Sequence, residues 1–513
     1  MDVELSDLPL TTYVFEHAQR WPGQLALVDG TTGAALSYRE LIDAVAQAAA
    51  GFAAHGVAKG DVVALCSPNC PEFVIAYYAT LAVGGVVTTV NPLATAADMA
   101  NQLRSSGARW MVTTPELFQH KASDVVGRLQ KVFVFGDATD ATPFAALLNT
   151  AAPAPTTAID TDDLALLLYS SGTTGLPKGV MLSHRNLVAS LCQTRLVQLV
   201  QPGDVLIAVL PLFHIYCLQV TLNLALHEGA TVVTMPRFDL ETFLRVVQQY
   251  RATRVDLVPP IVLALAKQPA VDDYDLSSLR VITSAAAPLG GELARSCAAR
   301  LGCRVKQAYG MTELGGTTHV APDGGRNDPE SIGPAQPGVQ CRVMDCTTGV
   351  DVEPGELGEL LIRTPAATRG YLNNLAATAG TIDPDGWLHT GDLVVQDTEG
   401  WFRVVDRRKE VIKHNAYQVA PAELEAVLLS HPAVADTAVI ASPDERSGEV
   451  PKAFVVLSAP ASAEELMRFV ADRVAPYKKV RIVEFIDEIP KSASGKILRR
   501  VLVERDRAVT ASA

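Results

Sequence analysis

The chain has 513 residues, of which 48% are apolar, and a formal net charge of −13. Such a length suggests about three domain-sized units with a large core, and an acidic balance without Lys/Arg blocks speaks against a nucleic-acid or anionic-membrane surface. The most apolar stretch, 76–90, is broken by Gly84 and Gly85 short of a membrane span, and the acidic start (Asp2, Glu4, Asp7) is no secretory signal, so a cytoplasmic protein with small soluble partners is expected.

Eight cysteines (Cys66, Cys70, Cys192, Cys217, Cys297, Cys303, Cys341, Cys346) lack CxxC spacing and clustered histidines. Neither a zinc site nor a disulfide framework is expected from them.

From 38 to 265, apolar helical patterns at 38–52 and 71–83 alternate with β-branched runs at 62–65, 85–90, 110–113 and 132–135. That alternation is the mark of α/β layers. Residues 136–163, rich in Ala, Pro, Thr and Asp, read as a connection between two subdomains.

The run 169–179, Tyr-Ser-Ser-Gly-Thr-Thr-Gly-Leu-Pro-Lys-Gly, is dense in hydroxyls and glycines and closed by Lys178. An apolar run, 164–168, leads in, and a helical pattern over 186–199 leads out, so the loop is expected between a strand and a helix. Backbone N–H groups near Gly172 and Gly175 can approach phosphate oxygens, Ser170, Ser171, Thr173 and Thr174 add donors, and Lys178 adds charge. A polyphosphate site for ATP follows; a polar surface loop with an incidental lysine is the alternative. Gly179 after Lys178 departs from the Walker pattern, which excludes a P-loop NTPase reading.

His214, within Leu212-Phe213-His214-Ile215-Tyr216, reads on its own as a satisfied core histidine. Gln307-Ala308-Tyr309-Gly310-Met311-Thr312-Glu313 puts a ring, a close-approach glycine, a hydroxyl and a carboxylate side by side, a set that can stack a base and place Glu313 on Mg²⁺. A turn ending in a solvated glutamate is its alternative.

After Gly333, short runs at 339–345, 358–363 and 400–406 punctuated by Gly and Pro read as a β-rich, barrel-like unit. Asp392, after Gly391, is an acceptor-only group suited to the two hydroxyls of a ribose, or else a turn cap. Arg407 is placed at a domain junction near 407–410, with a surface ion pair as its alternative role. Helical patterns at 421–429 and 463–474 around strands at 435–441 and 452–457 make a compact α+β module. The loop 490–496 carries Lys496 among small residues near the chain end.

Taken together, the loop 169–179, Thr312-Glu313, Gly391-Asp392, Asp406-Arg407 and Ser494-Gly495-Lys496 resemble the adenylate-forming superfamily of acyl- and aryl-CoA ligases, luciferases and adenylation domains. Residues 213–216 and 418–425 are most similar to its 4-coumarate:CoA ligase branch. The resemblance implies an α/β fold: a large N-terminal domain of layered α/β subdomains plus the barrel-like unit, 1–408, and a small mobile α+β C-terminal domain, 409–513. It implies ATP, Mg²⁺ and coenzyme A, and a carboxylic acid converted first to an acyl-AMP and then to a thioester.

Residue by residue, the resemblance makes Lys496 the lysine that reaches carboxylate and phosphate. His214 borders the acyl pocket, and Gln307, Tyr309, Gly310, Thr312, Asp392 and Arg407 hold the nucleotide. Lys409 matches the hinge, and Lys413 and Gln418 match residues that act after the small domain turns. The chain departs at Asn415-Ala416, where relatives carry a lysine and a glycine associated with coenzyme A, and Arg237 stands where they often place a coenzyme-A-contacting lysine. The acyl pocket maps to Tyr216, Ser284, Ala285, Ala286, Gly310, Met311, Gly316 and Thr317, with an alanine in place of a glycine in 284–288 and Gly316-Thr317 in place of Pro-Val. A cinnamate-type acid is the expected substrate. The alternatives are a fatty acid, a carrier-protein thiol as acceptor, and a nucleotide-binding protein without catalysis.

Overall fold

The computed structural model describes residues 3–122, 129–151, 153, 155–170, 177–414, 417–444, 446–492 and 495–510. Two largely parallel sheets carry most of the chain. One has seven strands and is centred on Val62–Cys66, flanked by Val86–Thr89 and Trp110–Thr113; the other has eight and runs from Ala35–Ser37 at one edge, next to Leu25–Asp29, to Gly316–Val320 at the other. Their central strands are buried on both faces, as parallel strands covered by helices require.

The helices between them explain the single large core. Pro71–Ala82 starts with proline at its first position, where no N–H is missed, and its apolar residues are buried on every side. Tyr38–Ala54 begins at a capping box in which Ser37 and Glu40 satisfy each other's backbone N–H groups. Gly51 in that helix lets the backbone of Leu147 approach to where a Cβ would be 2.6 Å away. One continuous apolar cluster runs through Val63 and Leu65 of the first sheet, these helices, and Ile207 and Val232 of the second.

The connection 136–163 does not separate two bodies. Thr142–Pro143 adds an edge strand to the seven-stranded sheet, and Phe144 packs on Phe52 and Phe135 in the core. The composition of the segment hid this one anchoring ring.

The third sheet is antiparallel and five-stranded, from Gly333–Pro334 through Trp401–Arg407, Leu388–Gln396 and Leu357–Arg363 to Gln340–Met344. The last sheet combines Tyr417–Val419, Ile412–His414, Gly448–Leu457, Val434–Asp444 and Ile482–Phe485, packed by the helices Pro421–Leu429 and Ala463–Ala471. The architecture is the expected α/β one with a β-rich unit and a smaller α+β part.

The segments on either side of the loop 169–179 correct one expectation. Leu164–Ser170 and Lys178–Ser183 are antiparallel partners, so the loop joins a hairpin and not a strand to a helix. Ser183 forms a capping box with Asn186, which fixes the helix start at His184 and leaves 178–183 free to pair as a strand. The helix ends at Thr194, short of the expected 199.

Candidate functional site

The hairpin brings Ser170 and Lys178 opposite each other at the mouth of the loop. Ser170 Oγ donates to Glu313 Oε1 at 3.0 Å, and the Tyr371 hydroxyl donates to the same oxygen at 3.0 Å. Lys178 Nζ lies 4.9 Å above the Tyr371 ring, a cation–π contact with the same tyrosine that donates to Glu313. Ser171, Gly172, Thr173 and Thr174 lie outside the described residues.

Glu313 is positioned by a short turn, Thr312–Leu314, that follows the strand Arg304–Met311 and turns back into Gly316–Val320. Gly310 is needed for that return, since a Cβ there would meet the Gly316 carbonyl oxygen at 2.0 Å. Gly316, at φ +145°, sits in a conformation that L side chains rarely adopt. Thr317 is buried and hydrogen-bonded to Gln336 Nε2 at 3.1 Å, while Met311 packs against the barrel-like core.

Asp392 is reached by a different route. Gly391 at φ +71° and a register shift after Leu393 re-aim the strand Leu388–Gln396 so that the buried Asp392 carboxylate meets the Tyr309 hydroxyl at 2.6 Å and Arg407 Nε at 3.2 Å. Burial raises the Asp392 pKa, and Arg407 and the Tyr309 hydrogen bond oppose that rise. Burial works against the Arg407 charge, and Asp392 and Glu410 outweigh it.

Lys496 enters this cavity from the small C-terminal part. Its loop docks on the large part closely enough that a Cβ on Gly495 would lie 3.0 Å from the Val258 side chain. Burial, then the neighbouring Arg407 charge, lower the Lys496 pKa; Asp392, Glu313 and Glu410 act in the opposite direction. His214 shares the cavity. Burial and the Lys496 charge push its pKa down to about 4, so it is neutral, and its buried Nε2 has no hydrogen-bond partner among the described residues.

The apolar end of the cavity is lined by Tyr216, Ala285, Ala286, Met311 and Ile215. The Tyr216 hydroxyl donates to the Thr283 carbonyl at 3.0 Å, so its ring rather than its hydroxyl is offered to the cavity. Ala286 stands at φ +72°, which costs a residue with a Cβ about 1–2 kcal/mol.

Lys178, Gln307, Thr312, Gly316, Thr317 and Lys409 also line this cavity. Gln307 spends its amide on backbone, accepting from Leu289 N at 2.9 Å and donating to Leu289 and Pro329 carbonyls, which holds the 285–289 segment in place. Three expected site residues stand apart from the lining: Ser284 is fully buried, and Arg237 and Lys413 are exposed. Asn415 and Ala416, and the side chain of Gln418, lie outside the description. Tyr371 and Glu410 join the site without any local sequence signal, because their partners are distant along the chain.

One arrangement thus offers a loop mouth at Ser170 and Lys178, a buried carboxylate beside it, an acidic group with an arginine, the Lys496 ammonium and an apolar recess. Residues 14–372 match the family described as AMP-binding enzyme, and residues 423–496 match the AMP-binding enzyme C-terminal domain. A curated 4-coumarate-CoA ligase of Pinus taeda is 41% identical, covering 98% of this chain and 96% of its own. The ATP-bound structure of MatB from Rhodopseudomonas palustris superposes with a TM-score of 0.89 at 29% identity, covering 98% of this chain and 99% of that one. The o-succinylbenzoate CoA synthetase of Bacillus subtilis, solved with its acyl-adenylate intermediate, gives 0.84 at 30% identity over 97% of this chain and 98% of that one.

Proposed function

This chain belongs to the AMP-binding enzyme family, and on that premise we propose that it joins a cinnamate-type aromatic acid, with 4-coumarate as reference substrate, to coenzyme A through an acyl-AMP. The observation that carries this reading is the single cavity in which the Lys496 ammonium meets the charges of Asp392, Glu313, Arg407 and Glu410 next to a neutral His214 and an apolar recess. The similarity to a 4-coumarate-CoA ligase along almost the whole chain supports the choice of acid and acceptor.

In the first half-reaction the acid's carboxylate attacks the α-phosphate of ATP and pyrophosphate leaves. Two anions must approach, so the step needs charge neutralised by groups already in place. Lys496 bridges carboxylate and phosphate, Lys178 and the loop it closes hold the outer phosphates, and Asp392 accepts from the ribose hydroxyls with Arg407 beside it. His214, neutral and with an uncommitted Nε2, seats the carboxylate at the edge of the recess.

The residues fit a Mg²⁺ ion. Glu313 is a buried carboxylate at the phosphate-loop mouth, and its hydrogen bonds among the described residues both fall on Oε1. When bound, the ion would neutralise phosphate charge, keeping most of its waters.

For the second half-reaction, the unit 409–513 turns about Lys409, withdraws Lys496 and brings Lys413 and Gln418 to the acyl-AMP, where the coenzyme A thiol displaces AMP. Lys413 sits outside the cavity in this pose, as an alternating arrangement requires. The cytoplasm, with its ATP and reduced coenzyme A, is the fitting compartment, and among the described residues no helix is long and apolar enough to cross a membrane.

The test is a paired assay on cinnamic, coumaric, benzoic, octanoic and palmitic acids, following pyrophosphate and thioester separately. Thioester formed best from a cinnamic acid supports the reading. Preference for palmitic acid overturns the acid class, and pyrophosphate without thioester points to a carrier-protein acceptor instead.

A further inference from the structure

Two histidines far apart in sequence meet away from the catalytic cavity. Glu16 and His17 follow the short helix Leu10–Phe15, and His227 closes the helix Leu224–His227; none of the three lines the cavity. His227 is only 1% exposed. Its Nδ1 lies 2.9 Å from the Tyr13 carbonyl oxygen, which can only accept, so Nδ1 carries the proton and Nε2 a lone pair. The Tyr13 ring stacks on the imidazole at 4.3 Å between centroids and 11° between planes, which fixes its direction.

The lone pair on Nε2 has no hydrogen-bond partner among the described residues, a costly state for a buried acceptor. Facing it at 4.0 Å is Glu16 Oε1, itself 3.4 Å from His17 Nε2. One donor atom from each of the three residues lies within 4.8 Å of the others. A tetrahedral ion with ligand bonds near 2.0–2.1 Å wants donor–donor edges of about 3.4 Å. The Glu16–His17 edge already has that length, and the others close with side-chain shifts of about 1.4 Å or less.

We propose that Glu16, His17 and His227 form a binding site for a divalent transition-metal ion of the zinc type, with water completing the coordination. Two imidazoles and one carboxylate favour zinc-type ions over Mg²⁺ or Ca²⁺, which take oxygen ligands. The hydrogen bond from His227 Nδ1 to a backbone carbonyl is the usual outer support of a metal-bound histidine. Glu228 Oε1 also lies 4.0 Å from His227 Nε2, but its carboxylate is engaged by Arg195 Nε at 2.8 Å, so it stands outside the ligand set. A bound ion ties the N-terminal segment to the helix that feeds the strand Thr231–Thr234 and so acts on stability rather than on the chemistry.

The test uses the full chain, stripped with a chelator and held in excess Mg²⁺. Zn²⁺ is titrated against a chromophoric competitor, Co²⁺ is followed by its visible absorption, and Tm is recorded with and without Zn²⁺. The expected result is one equivalent of Zn²⁺ per chain, a raised Tm, and affinity at least roughly tenfold weaker in both His17→Gln and Glu16→Gln. Both residues are partly exposed, so these variants should fold, and pyrophosphate release by His17→Gln should be unchanged. Absence of stoichiometric binding, or equal affinity in wild type and His17→Gln, would overturn the site and leave Glu16–His17 as an ion pair.

Discussion

Asp392 and Arg407 stand directly opposite each other across two antiparallel strands, with Arg407 Nε 3.2 Å from Asp392 Oδ1 and the Tyr309 hydroxyl 2.6 Å from Oδ2. The carboxylate is thus oriented before any nucleotide arrives. Preorganisation of this kind lowers what binding must spend on ordering.

Asp392→Asn keeps the shape and removes the charge. A hydrogen bond to a charged group is worth about 1.5–3 kcal/mol, so KM for ATP should rise roughly ten- to hundredfold. Tyr309→Phe, which only frees the carboxylate's orientation, should do less. Initial rates of pyrophosphate release across ATP concentrations decide it; an unchanged KM in Asp392→Asn would remove this residue from the nucleotide site.

Lys496→Ala should slow pyrophosphate release by about 10²–10³-fold, the range seen when one donor to a developing charge is lost. Conversion of preformed acyl-AMP to thioester should persist. Equal loss of both steps contradicts a lysine that serves only the first.

Lys413→Ala should show the opposite ranking, since Lys413 is exposed on the strand Ile412–His414 and absent from the cavity lining in this pose. Adenylation should stay within a few fold of wild type while thioester formation from acyl-AMP falls by at least about tenfold. Single-turnover measurements of each half-reaction separate the two. A larger loss in adenylation would assign Lys413 elsewhere.

Asp406, next to the proposed hinge, accepts from the backbone N–H groups of Arg407 at 2.7 Å and Ala422 at 3.0 Å, yet burial pushes its pKa up to about 6. A carboxyl whose folded pKa lies above its unfolded value binds its proton more tightly when folded. Its contribution is therefore fully present below about pH 4 and is lost as pH rises towards 6, by about 3 kcal/mol at most. Asp406→Asn should flatten that part of the Tm profile between pH 4 and 7 relative to wild type. Parallel profiles would show that Asp406 titrates normally.

Most of the architecture was legible because it depends on local periodicity. The helix Pro421–Leu429 and the strand Trp110–Thr113 fall on the expected residues, since burial period and capping chemistry are written within a few positions. The exit from the phosphate loop was misjudged because 178–183 is short, and only its pairing with Leu164–Ser170 declares it a strand. Likewise, no local signal reveals that Phe144 is a core residue; its partners Phe52 and Phe135 do.

The site divides along the same line. By itself the sequence determined which groups are available: a glycine- and hydroxyl-rich loop ending in Lys178, the carboxylates Glu313 and Asp392, Arg407, and Lys496 on a small-residue loop. Those are properties of residue type and near neighbours. Only the tertiary structure decided that Tyr371 bridges Lys178 and Glu313, that Gln307 and the Tyr216 hydroxyl are committed to backbone, that Lys496 and not Lys413 occupies the cavity, and that His17 meets His227. Hydrogen bonds and charge interactions act over a few ångströms in space, whereas these partners are separated by tens to hundreds of residues of chain, so folding alone sets which groups meet.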